Sequence, residues 1–143
     1  MLKKLRYVLL CMCLYYFIPI HYCDSELKSY RNEVMEMVEQ YCPNKQYNNP
    51  QHQYIYFKRL KNYEIGECQM KFNTYKILID PVFWKTASEQ AKFETFVHEA
   101  GHCLLFKTHV DNPRSYMYYM LNGLSRETVR AQFIEDLRSK CGR

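Results

Sequence analysis

The chain predicts a single α+β domain, on three observations. Leu27, Tyr30, Val34, Met37, Val38 and Tyr41 recur at three-and-four spacing behind Asp24, the period of one helical face. Runs rich in Tyr, Ile and Phe then span Tyr54 to Leu60, Tyr63 to Phe72 and Thr74 to Asp80, divided by short polar turns as strands are. Helical spacing returns in Phe93, Phe96, Val97, Ala100, Leu104 and Leu105, and again in Val129, Phe133, Ile134 and Leu137. A helix, a block of strands and two further helices is the order of a segregated α+β fold rather than an alternating one.

Taken in order, the chain opens with Lys3, Lys4 and Arg6 ahead of an apolar run from Tyr7 to Ile20. This is the pattern of a secretory signal. At 14 residues the run is shorter than the ~20 that a spanning helix needs. Residues 1–22 are therefore read as a signal or membrane-targeting segment and residues 23–143 as the domain. No small-residue pair marks the cleavage site. Cys23 stands directly after the run, where bacterial lipoproteins are acylated, although Ile20-His21-Tyr22 lacks the small residues expected before it. Membrane attachment thus has two routes, the N-terminal segment itself or a lipidated Cys23. The first helix runs from Asp24, its expected cap, to Tyr41, where Cys42-Pro43-Asn44 ends it. An Asn/Gln-rich loop leads into the strands. Thr86-Ala87-Ser88-Glu89 reads as a capping box that starts a helix over about residues 87–106, and Ser125 caps the last one.

Without Lys3, Lys4 and Arg6, the 20 basic residues fall to 17 against 15 acidic, a formal charge of +2 in place of +5. No basic stripe remains, which sets nucleic-acid binding aside. The remaining length suits one core, and a monomer is expected. Cys42, Cys68, Cys103 and Cys141 lie outside the signal and its boundary, which fits two disulfides in an exported protein. Among them no C-x-x-C spacing argues for structural zinc. Cys103 follows His102 by one residue, about 100° round the helix, toward the sheet or core. On this ground Cys68–Cys103 and Cys42–Cys141 are the favoured pairs among three possible connectivities.

The chemistry is carried by His98-Glu99-Ala100-Gly101-His102, an H-E-x-x-H pattern on a helix. Residues four apart share a face, so His98 and His102 can offer two imidazoles to one metal ion. Glu99 at the edge of that face can deprotonate a water held by the metal, its role in zinc peptidases. Two surface histidines on an amphipathic helix are the bland alternative.

Downstream, His109 and Asp111-Asn112-Pro113-Arg114-Ser115-Tyr116-Met117 follow. From about Ile77 to Tyr119 the chain resembles the metzincin zinc peptidases, particularly their matrixin and astacin branches. The resemblance implies a small zincin-like domain with Zn2+ held by His98, His102 and His109. It implies Glu99 as general base, Met117 as the hydrophobic floor under the metal, and Tyr119 as the tyrosine that swings toward it. It also places Thr74 to Asp80 as an antiparallel edge strand along the cleft, to which an extended peptide or protein substrate would add. Two positions depart from the pattern: Thr108 stands where the third histidine falls, and Leu105 replaces the glycine three residues after the second histidine. Asp111, or Glu127 or Glu135 on the last helix, are the alternative third ligands. The expected function is an exported zinc endopeptidase without a long pro-segment. A non-catalytic secreted or surface-anchored metal-binding protein is the alternative.

Overall fold

A computed structural model describes residues 18–142. Lys3, Lys4, Arg6 and most of the apolar run lie outside the described residues. Four strands, β1 (Ile20–Cys23), β2 (His52–Phe57), β3 (Gly66–Lys71) and β4 (Thr74–Ile79), form a mixed sheet in the order β1-β2-β4-β3. β1 and β4 run parallel to β2, and β3 runs antiparallel to β4. Four helices complete the α+β domain: α1 (Lys28–Tyr41), α2 (Pro81–Thr86), α3 (Glu89–Leu105) and α4 (Arg126–Cys141).

The helical stripes bury as their spacing requires. Tyr30, Val34, Met37 and Val38 of α1, Phe93, Phe96, Val97, Ala100 and Leu104 of α3, and Val129, Phe133 and Leu137 of α4 meet Ile55, Tyr75, Ile77 and Ile79 of the sheet in one core. Ile134 is partly buried against it. Ser125 caps α4 by accepting from the Thr128 N–H at 3.2 Å.

Several boundaries differ from the sequence reading, each for a local reason. β1 was not expected, and the boundary drawn between residues 22 and 23 falls inside it. Cys23 is half-buried there, with register partner Ile55. Asp24 does not cap a helix with its side chain. Its carboxylate instead accepts from the Phe57 N–H at 2.8 Å and the Tyr22 hydroxyl at 2.6 Å, tying the start of the domain to β2. Asn62 and Tyr63 have positive φ, so the third run starts as a turn and its strand begins only at Gly66. α2 was also unexpected: Asp80 accepts from the N–H groups of Val82 and Phe83, and Pro81 opens the first turn. Thr86 closes α2 by donating to the Val82 and Phe83 carbonyls, so it is Ser88, accepting from Ala91, that caps α3.

The edge strand is also reassigned. β4 is paired on both sides, by β2 and β3, so Thr74 to Asp80 cannot be the cleft edge. That edge is β3, paired on one side only and antiparallel.

Two disulfides close the fold in the favoured pairing. Cys42–Cys141 joins the end of α1 to the end of α4, with Cα atoms 5.1 Å apart, and Cys68–Cys103 joins β3 to α3 at 5.7 Å. The first spans 99 residues of sequence. Replacing Cys42 and Cys141 together by serine is expected to cost roughly 2–5 kcal/mol, because a loop that long removes much unfolded-state entropy. Denaturant unfolding of the oxidised double variant checks this, and a loss below about 1 kcal/mol would contradict the assignment. No described helix is long and apolar enough to cross a membrane.

Candidate metal centre

α3 delivers His98 and His102 one turn apart, and its end determines where His109 can go. Phe106 adopts the left-handed conformation at φ 56°, and the Lys107 N–H reaches back six residues to the Gly101 carbonyl at 3.2 Å. This is the geometry of a glycine C-cap, made here without glycine. The chain therefore leaves the helix axis sharply, and the Val110 N–H closes the loop onto the Met117 carbonyl at 3.1 Å. His109 thereby returns to the face that carries the other two histidines.

The three Nε2 atoms converge. His98 and His102 are 3.0 Å apart, His98 and His109 3.1 Å, and His102 and His109 3.2 Å. His98 Nδ1–H donates to the Tyr116 carbonyl at 2.7 Å and His102 Nδ1–H to the Lys107 carbonyl at 2.6 Å. A carbonyl can only accept, so the proton of each neutral ring is fixed on Nδ1 and each Nε2 presents a bare lone pair. Burial also favours the neutral rings, pushing His98 down to about 4 and His102 below its ordinary value. Two lone pairs facing each other at 3.0 Å repel unless a cation lies between them.

A metal ion fits this donor set. Nitrogens sharing one tetrahedral zinc at ~2.0–2.1 Å stand ~3.3 Å apart, close to what the three atoms show. Metal-bound histidines usually donate the other ring N–H to a carbonyl or carboxylate, as His98 and His102 do. Among the described residues, His98, His102 and His109 form the group that could hold an ion. Asp111, Glu127 and Glu135, the alternative third ligands, are exposed and outside that group.

The platform under the histidines is built from α4, through Gln132 and Asp136 rather than through the Glu127 or Glu135 that the sequence reading offered as ligands. Gln132 accepts from the Tyr116 N–H at 2.8 Å. Asp136 accepts from the Tyr116 hydroxyl at 2.8 Å and from Lys107 Nζ at 2.8 Å. The two residues whose carbonyls orient His98 and His102 are therefore held by one carboxylate. Gln132 and Asp136 stand four apart on one helix face, so both meet the loop that carries Tyr116. Met117 is 1 % exposed, and the Ser115 hydroxyl accepts its N–H at 3.1 Å. Tyr119, by contrast, is exposed and lines the cleft, its hydroxyl receiving a hydrogen bond from Tyr118 at 3.2 Å.

Gly101 makes this contact possible. A Cβ on it would stand 2.7 Å from Met117 Sδ and 3.0 Å from the Tyr116 ring. Helix propensity alone favours alanine over glycine by about 1 kcal/mol. Overpacking costs about 1–3 kcal/mol, so Gly101→Ala is expected to be net destabilising and to weaken metal binding. Urea unfolding and zinc titration of the variant check this; a more stable variant with unchanged affinity would show that the Met117 contact does not matter.

Glu99 lies on the other side of the histidines, in a cleft of about 680 Å³ between α3, β3 and the loop after Met117. Gly66 of β3 lets it in, since a Cβ there would be 2.6 Å from Glu99 Oε1. Burial, with Glu67 and Glu64 nearby, pushes the Glu99 carboxyl up to about 8 while the Cys68 N–H pulls the other way. A divalent cation beside it acts in the downward direction. No family model, no curated protein and no solved structure matches this chain.

Proposed function

We propose that the protein is an exported zinc-dependent endopeptidase of metzincin type. The observation that carries the reading is the convergence of three imidazole nitrogens, two of them held bare by their Nδ1–H bonds, on a cleft that also holds the buried carboxyl of Glu99. His98, His102 and His109 would hold the ion, and zinc bound there would supply a Lewis acid and lower the pKa of a water to about 7. Glu99 accepts the proton of the attacking water at a carboxylate oxygen and passes it to the nitrogen of the leaving amine.

The remaining residues orient and support. The Tyr116 and Lys107 carbonyls fix the two helix imidazoles in the ligating tautomer. Met117 closes the site from below. Tyr119, exposed and lining the cleft, would donate to the oxygen of the scissile carbonyl. β3 offers an unpaired edge along which an extended peptide can add as a strand.

The departures from the metzincin pattern support the reading once Phe106 is taken into account. In the pattern H-E-x-x-H-x-x-G-x-x-H the glycine stands three residues before the third histidine. Here Phe106 makes the left-handed turn and His109 follows it by three, so turn and ligand shift together by one residue. The two disulfides accord with an oxidising compartment. The purified domain should cleave an unstructured protein, lose that activity to a chelator and regain it with zinc. Zinc bound without any cleavage would leave the non-catalytic metal-binding reading in its place.

A further inference from the structure

The cleft extends beyond the histidines to the turn of α3 before them. Glu94 precedes His98 by four residues and so shares its helix face. It is 2 % exposed, yet it lines the cleft, and only one of its carboxyl oxygens has a protein partner. Oε1 accepts from the Asn122 N–H at 3.0 Å, which pins the chain after Met117 as the opposite wall. Oε2 has no partner among the described residues, and neither does the hydroxyl of Thr95, the next residue along and also part of the lining. Two adjacent cleft-lining residues thus each keep a buried polar atom without a protein partner, a pair that a ligand group or an ordered water would complete.

Apart from the histidines and the ion they would hold, the ionisable side chains around that ligand are carboxylic acids and tyrosines. Glu64, Glu67, Glu94 and Glu99 all line the cleft, and no described Lys or Arg does. The wall leading to Glu94 is apolar and half-open, with Met120 55 % and Leu121 37 % exposed. An apolar passage ending at a buried carboxyl matches a group with an aliphatic stem and a cationic head.

Resting on the peptidase reading, we infer that the cleft selects a lysine or arginine side chain of the substrate next to the scissile bond. Glu94 Oε2 and the Thr95 hydroxyl receive its head group. Glu94 is thus a specificity-determining residue rather than a structural acid. It does not take part in the bond-breaking step.

The test uses the zinc-loaded protein and peptides that differ only at the residue flanking the cut, after the cut has been located by mass spectrometry in an unstructured protein. Lysine is compared with norleucine, which keeps the stem and lacks the ammonium. The kcat/KM ratio of lysine to norleucine is expected to be about tenfold or more. In Glu94→Gln, which keeps an acceptor for the Asn122 N–H and loses only charge, the ratio should fall close to one. A ratio near one in the natural protein, or one that survives in Glu94→Gln, overturns the inference. Binding of the same peptides to Glu99→Ala separates this from the peptidase reading. A Glu94-dependent lysine preference in binding, without cleavage by the natural protein, keeps the pocket and removes the peptidase. Cleavage without lysine preference does the reverse. Should Glu94→Gln fail to fold, n-butylamine and n-butanol are compared as competitors of the natural protein: selective competition by the amine supports the inference, and equal competition overturns it.

Discussion

Glu99→Ala is expected to keep its zinc and to hydrolyse peptides about a hundredfold or more slowly than the natural protein. Glu99 is 5 % exposed, lies in the cleft beside the three histidines and is not one of the converging donors. Its removal takes away a proton carrier and leaves the imidazole set intact. Metal analysis together with steady-state cleavage of an unstructured protein reads both halves of this expectation. Retained activity would sink the mechanism, whereas loss of zinc would make Glu99 a structural support of the site.

His109→Ala is expected to lose bound zinc while keeping its fold. His109 is exposed on a loop and contributes nothing to the core, so circular dichroism should not change. Its Nε2 nevertheless stands within 3.2 Å of both helix histidines. Loss of an outer-shell partner already costs roughly 10–100-fold in affinity, and loss of a direct donor should cost more. Asp111→Ala, Glu127→Ala and Glu135→Ala should keep zinc at the level of the natural protein. Full occupancy in His109→Ala, with loss in one of the other three, would overturn the ligand set.

The helices and both crosslinks could be read from the sequence because each rests on a short, regular relation. The stripe Phe93, Phe96, Val97, Ala100 and Leu104 is periodic, and Cys103 is turned away from the metal face by its one-residue offset from His102. His98, Glu99 and His102 came as one motif for the same reason. The missed elements depend on context. Ile20–Cys23 looked like the end of an apolar leader, and only its parallel partner β2 shows it to be a strand. The Asp80-Pro81 step carries an N-cap and first-turn proline, a local signal for α2 that the strand reading passed over. Thr74–Ile79 was taken for the edge because sequence order does not reveal that β3 pairs outside it. The turn at Phe106 carries no signal at all in residue type, since a phenylalanine rarely adopts positive φ. Asp136 joins the site only through the Lys107 and Tyr116 contacts, which lie 29 and 20 residues away in the chain.

One ion held by His98, His102 and His109 is proposed to make this cleft a peptidase. Stepwise return of zinc to the metal-free protein, with cleavage of an unstructured protein followed at each addition, tests it most directly. Activity should rise in proportion to bound zinc and level off at one ion per chain. Cleavage by the metal-free protein, or a fully zinc-loaded protein that cleaves nothing, would contradict it.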